Sequence, residues 1–230
     1  MIIGHGMLAN AFALTYQDDP ATWVFASGVS NSRCLDEAEF SRERSQLIFT
    51  LGEAGANPTF VYFGTCSVAD PTALNTPYVQ HKLAMEKLVA AHPKHLIFRL
   101  PQIAANTANP YTLLNTLHRH LVTGEEFSVW RTAFRNIIDV EDVLAIATRY
   151  IANSTQRQFV VNIANPRSTS IDEVIAAMER AMGRKMRVRL IDRGAHYPVD
   201  VTDMLNSGFA SDCVFDEKYL ERVIFKYHAQ

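Results

Sequence analysis

Residues 59–101 read TFVYFGTCSVADPTALNTPYVQHKLAMEKLVAAHPKHLIFRLP. The apolar run 59–63 has strand length and is closed by Gly64. Residues 77–91 form a helix with proline in its first turn, where the missing N–H costs nothing. Residues 95–100 make a second apolar strand, halted by Pro101. Two short strands, each apolar throughout and joined by a helix, must lie parallel in a sheet covered on both faces.

The same rhythm extends toward the N-terminus. Residues 1–3 form a short strand, Gly4-His5-Gly6 a turn, and residues 7–16 an apolar helix. After the turn residues Asp18-Asp19-Pro20 come a buried strand over 22–26, ending in Ser27-Gly28, and a charged amphipathic helix over 35–51. Beyond Pro101 the pattern loosens. It predicts a helix over 111–123 stopped by Gly124, strands at 127–129 and 136–138, a helix over 141–151 and a strand over 158–163. A helix from Ser170 to Met182 follows, with Gly183 as its stop, then a half-exposed strand over 186–191. The last forty residues carry no pattern that orders them.

The chain has 230 residues, 48% hydrophobic and 20% charged, which is globular composition and excludes a disordered chain. The formal charge of −2 gives no electrostatic case for a nucleic-acid partner. No apolar stretch reaches the roughly 20 residues of a membrane helix, and no signal peptide is expected. Three separate cysteines, Cys34, Cys66 and Cys213, argue for a reducing, cytoplasmic setting.

Two constellations carry chemistry. Gly4-His5-Gly6-Met7-Leu8-Ala9 fits G-x-G-x-x-A between a strand and a helix. Gly4 permits the turn, Gly6 lets the backbone approach a diphosphate, and Ala9 keeps the helix near the sheet. The alternative is a tight turn that binds nothing. The second is Tyr78-Val79-Gln80-His81-Lys82. Tyr78 and Lys82 share one helix face, so the ammonium is expected to lower the phenol pKa and ready it for proton transfer. Thr65, at the end of the preceding strand, offers a hydroxyl to the same substrate oxygen. The blander reading is a surface lysine beside a core tyrosine. His5 reads as solvated, Cys66 as a buried filler, and His118 and His120 complete no metal site.

The segments 60–68 and 77–86, in that order and spacing, resemble the extended short-chain dehydrogenase/reductase superfamily, and within it the NAD-dependent nucleotide-sugar epimerase/dehydratase family. Phe98-Arg99-Leu100-Pro101 resembles the strand and proline beside the nicotinamide. Residues 135–143 (RNIIDVEDV) resemble the family's Arg-x-x-x-His-Val-x-Asp-Val stretch. The likeness runs to about residue 185. It implies an α/β Rossmann-like doubly wound sheet over residues 1–165, with some substrate-lobe elements from about 106–140, and a small C-terminal α+β substrate lobe over 166–230. It further implies Thr65, Tyr78 and Lys82 as catalytic residues. Gly4, Gly6, Met7, Leu8, Ala26, Ser27, Gly28, Lys82 and Pro101 would contact NAD or NADP, and Arg135 a nucleotide-sugar substrate. A hydride would pass between substrate carbon and nicotinamide while Tyr78 handles the proton. A homodimer through helices 35–51 and 77–91 is expected.

The sequence departs from that family in one large way. Only 24 residues separate Gly4 from Gly28, so the second and third strands are missing, and with the second the residue that reads the adenosine ribose. Val79, Gln80 and His81 stand where smaller residues are usual, and Asp139 where histidine is. These departures leave open a second reading, a non-catalytic binding or regulatory protein with a weakened or lost cofactor site, and a third, an assembly subunit.

Overall fold

The computed structural model describes residues 1–153, 158–194 and 196–229. Residue 230, the last of the expected C-terminal lobe, lies outside them.

The chain opens with β1 (Ile2–Ile3), α1 (Met7–Tyr16), β2 (Thr22–Phe25), α2 (Glu37–Ala54), β3 (Thr59–Thr65), α3 (Pro77–Ala90) and β4 (His95–Leu100). These strands pair in parallel in the order β1-β2-β3-β4. A fifth parallel strand, β9 (Phe159–Asn162), closes the far edge against β4. β1 is therefore an edge strand, paired with β2 alone among the described residues, as the missing second and third strands require.

Alternation along β3 decides what each face holds. Val61 and Phe63 point into a core with Phe12 and Tyr16 of α1 and with Val143, Ile146 and Tyr150 of α5 (Val140–Ala152). Phe60 and Tyr62 point the other way, against Leu47 of α2 and Met85 and Val89 of α3. All seven residues of β3 are buried. Helices cover both faces, so the sheet is doubly wound.

Between β4 and α5 lie β5 (Gln102–Ala104), α4 (Leu113–Thr123), β6 (Phe127–Trp130), β7 (Phe134–Arg135) and β8 (Ile137–Asp139). After β9 come β10 (Thr169–Ser170), α6 (Ile171–Met182), β11 (Val188–Ile191), α7 (Thr202–Asn206) and α8 (Tyr219–His228). A second core joins Leu117 and Leu121 of α4, Val174 and Met178 of α6, and Val223 and Ile224 of α8.

Local chemistry sets most boundaries. The helix read from residue 35 begins at Glu37, because the Asp36 side chain accepts from the Ala38 N–H. The helix read from 111 begins at Leu113, capped by Thr112. α6 starts on a reciprocal Ser170–Glu173 capping box and stops at left-handed Gly183. Asn136 drops out of the strand read at 136–138, since its side-chain amide bonds the Asn165 backbone in both directions, at 2.7 and 3.1 Å. β11, read as a half-exposed strand, pairs in parallel with β6.

Candidate active site

Parallel pairing brings the ends of four strands together. Gly4 follows β1, Ala26-Ser27-Gly28 follow β2, Thr65 ends β3, and Pro101 follows β4. Gly4 adopts φ +123, and a Cβ there would lie 2.6 Å from the Ala26 carbonyl oxygen, so only glycine closes this turn. Gly6, by contrast, has φ −82 and caps α1, and a Cβ on it would meet nothing within 4 Å. Met7 and Leu8 form the first turn of α1, whose N–H groups have no partners within the helix. Ser27 donates through Oγ to Gln46 Oε1 at 2.7 Å.

Thr65 and Tyr78 are both buried, and the Thr65 side chain acts on the Tyr78 phenol. Thr65 Oγ1 accepts from the Ser67 N–H at 3.1 Å, which fixes the 3₁₀ turn Cys66–Ala69. Thr76 caps α3 and Pro77 stands in its first turn, so the helix starts one residue before Tyr78. Burial pushes the Tyr78 phenol up to about 12, with the Thr65 side chain opposing it and Glu43 and then Cys66 adding to it. Lys82, expected to act on this phenol, places its ammonium on a buried carboxylate.

That engagement centres on Glu43 of α2, which is fully buried. Its Oε1 accepts from Tyr62 Oη at 2.7 Å and from Lys82 Nζ at 3.1 Å. Its Oε2 accepts from the Val29 N–H at 2.7 Å and from His81 Nε2 at 2.9 Å. An acceptor-only carboxylate requires His81 to carry its proton on Nε2. Burial alone would raise the Glu43 pKa. The bond from His81, the Lys82 charge and the other two donors outweigh it and hold the carboxyl at about 2. Lys82 also lies 4.7 Å from the Tyr62 ring centroid. Burial pushes its ammonium below the usual lysine range, with Glu43 and then Glu86 pulling it back. One turn further along α3, Glu86 takes a fork of bonds from Arg99 of β4, the shortest 2.6 Å from Nη2 to Oε2.

Nothing in the motif reading pointed to Glu43, yet a signal was present. Phe40, Glu43, Leu47 and Thr50 are the buried positions of α2, at the spacing of one helix face. A carboxylate inside such a stripe requires a cationic or hydrogen-bonded partner.

Arg135 stands in β7, where its guanidinium donates to the Phe134 carbonyl at 2.7 Å. Burial lowers its pKa, and Tyr197, Asp70 and Arg33 all act on its charge. Tyr197 in turn feels Asp70, Arg135 and Cys66. Cys66 is buried, donates from Sγ to the Arg99 carbonyl at 3.2 Å, and has its thiol pushed up to about 12 by burial, as befits a filler. One cleft is lined by Asn165, Glu173 and Arg180, and another by Asp139, Asp142 and Lys226. Neither is lined by Thr65, Tyr78 or Lys82.

The glycine turn and the open start of α1 have the backbone features that a diphosphate site requires. Beyond β1 no described strand stands where an adenosine ribose would be read. Among the described residues, no helix is long and apolar enough to cross a membrane.

No family model matches the sequence, and no curated protein does. Solved structures do match. The Pseudomonas aeruginosa protein RMD, complexed with NADPH, superposes with a TM-score of 0.69 at 16% identity, over 91% of this chain and 82% of that one. A dTDP-glucose 4,6-dehydratase from Bacillus anthracis in complex with NAD gives 0.68 at 16%, over 96% and 78%. A Thermus thermophilus UDP-glucose 4-epimerase complex with NAD gives 0.69 at 13%, over 95% and 81%. The chain therefore has the fold of the nucleotide-sugar epimerases and dehydratases, and the resemblance read from its motifs is borne out at the level of the fold.

Proposed function

We propose that this chain is an oxidoreductase or epimerase of the short-chain dehydrogenase type, acting on a nucleotide-linked sugar with NAD or NADP. The observation that carries this reading is the placement of Thr65 at the C-terminal end of β3 and of Tyr78 and Lys82 one turn apart on the next helix, α3, all three buried. A phenol so placed could exchange a proton with a carbinol or carbonyl oxygen. Gly4, Gly6, Met7 and Leu8 would receive the diphosphate, Ala26, Ser27, Gly28 and Pro101 would flank the cofactor, and Arg135 would meet the substrate diphosphate. When bound, the nicotinamide supplies or takes up hydride. The fold shared with proteins solved in complex with NAD or NADPH supports that cofactor.

Calorimetric titration with NAD⁺, NADH, NADP⁺ and NADPH tests the cofactor. Turnover of nucleotide sugars by the wild type and by Tyr78→Phe tests the chemistry. Micromolar binding and loss of turnover in the variant support the reading, and unchanged turnover in Tyr78→Phe overturns the role of Tyr78. A second reading, a binding or regulatory protein without catalysis, is favoured by the edge position of β1 and by the Glu43–Lys82 pair. Absence of binding at millimolar cofactor decides for it. The three cysteines are free thiols, which supports a cytoplasmic setting. A homodimer through α2 and α3 completes the proposal.

A further inference from the structure

The edge of the sheet runs directly beside the glycine turn. Met1 and Ile3 turn their carbonyls toward β2, accepting from the Val24 and Ala26 N–H groups at 2.9 and 2.7 Å. The residue between them faces the other way, so the peptide groups of Ile2 lie along an edge that no other described strand pairs with. Leu14 of α1, the helix that follows the turn, is fully exposed. An adenosine ribose is read by an acidic or basic side chain about 20 residues beyond such a turn, at the end of the next strand. In this chain the next strand is β2, and it runs out into Ala26-Ser27-Gly28, with neither carboxylate nor guanidinium. Asp18 and Asp19 lie at the opposite end of the sheet. The carbonyls of Tyr16, Asp19 and Thr22 accept from the Met1 nitrogen at 2.6, 2.7 and 2.6 Å. Three residues of chain, about 10 Å, separate that nitrogen from Gly4. Arg42 of α2 does reach the end of β2, but it donates to the Ser27 carbonyl at 3.2 Å and is paired with Glu39 at 3.1 Å.

We propose that this chain reads only the nicotinamide-nucleotide half of its cofactor: the adenosine passes over the β1 edge into solvent, so reduced nicotinamide mononucleotide is held about as well as the dinucleotide, and the 2′-phosphate that separates NADP from NAD goes unread. This deepens the proposed function and rests on its reading of Gly4, Gly6, Met7 and Leu8 as the diphosphate contact. The strand ends that gather at the site, after β2, β3 and β4, all lie to one side of the glycine turn, and the sheet ends on the other. The open N–H groups at the start of α1 act on phosphate charge alone and are indifferent to what the phosphate carries. Affinity for the adenosine would need protein surface beyond β1, and specificity between the two dinucleotides would need a side chain there to accept from the ribose hydroxyl or to donate to the phosphate.

Calorimetric titration of the full chain with reduced nicotinamide mononucleotide, NADH and NADPH tests this without turnover. A single charged hydrogen bond to the ribose or its phosphate is worth about tenfold or more in affinity, so the three dissociation constants should agree within about tenfold. Adenosine monophosphate at millimolar concentration should not displace NADH. Saturation-transfer NMR of NADH in exchange with the protein should mark the nicotinamide ring protons and leave adenine H2 and H8 unmarked. NADH bound more than about tenfold tighter than the mononucleotide overturns the proposal, as does a bias of more than about tenfold between NADH and NADPH. Displacement by adenosine monophosphate or saturation of the adenine protons overturns it equally. In each of these cases the dinucleotide binds and the cofactor reading stands. If none of the three nucleotides binds at millimolar concentration, the cofactor reading itself falls and this inference falls with it.

Discussion

Gly28 lies directly against Lys82, close enough that a methyl group built on its Cα would sit 2.8 Å from the ammonium nitrogen. Neither partner can yield freely, because Lys82 is held by Glu43 and Glu43 by four donors. Gly28→Ala should therefore cost about 1–3 kcal/mol, the usual range for overpacking a filled interior. Urea unfolding of the two proteins measures it, and equal midpoints would show that the cluster relaxes more easily than its geometry implies.

The acid limb of stability should carry the signature of Glu43. Its carboxyl falls from an ordinary 4.5 to about 2 in the folded chain. A depressed folded-state pKa means that the contribution is present in full above about 4.5 and drains away as pH falls through about 2. Glu43→Gln leaves a buried ammonium without a counter-charge and should cost ~3–5 kcal/mol near neutrality. The gap between wild type and variant should close progressively in that acid window. Urea unfolding at stepped pH checks this, and parallel curves through the window would refute it.

The fold was legible because strand length, helix period and punctuation agreed over the first hundred residues. Gly64, Pro77 and Pro101 bracket β3, α3 and β4 within a residue or two. The site was legible only where residue types are chemically distinctive, as at Thr65, Tyr78 and Lys82. The motif predicts contact between Tyr78 and Lys82, but it says nothing of α2, whose Glu43 reaches Lys82 across 39 positions of sequence. Such a partner is fixed by how α2 packs beside α3, and a local pattern cannot carry that. The last forty residues were opaque for a related reason. α8 is anchored by Tyr227 and Lys226 on Asp139, at 2.6 and 2.9 Å, and by Tyr219 on Asp142, bonds that span more than seventy residues.

Gly6 separates the two meanings a glycine can have. Gly4 is required by φ and by the Ala26 carbonyl, whereas Gly6 has an ordinary φ and open space around it. Serine is at home at a helix N-cap, so Gly6→Ser should leave stability within about 0.5 kcal/mol. If the turn receives a diphosphate, the added side chain occupies the approach, and dinucleotide affinity should fall at least about tenfold. Paired calorimetry and thermal unfolding check both halves. Unaltered affinity in a fully stable variant would remove Gly6 from the binding site.

The outer face of α2 bears on assembly. Phe49 is 69% exposed and Ile48 50%, side by side with Ser45 and Gly52 on the surface. The neighbouring α3 exposes Ala84 and leaves Leu83 and Leu88 half-buried. Large aromatic residues in that position are favoured when a second surface covers them, and two copies related by a twofold axis would set α2 and α3 against their own images. Phe49→Glu then buries a charge in the contact and should convert a dimer to a monomer in solution scattering, with the thermal unfolding of the monomer otherwise intact. A wild type that is already monomeric at micromolar concentration would refute the assembly, and a variant that stays dimeric would place its contact on another face.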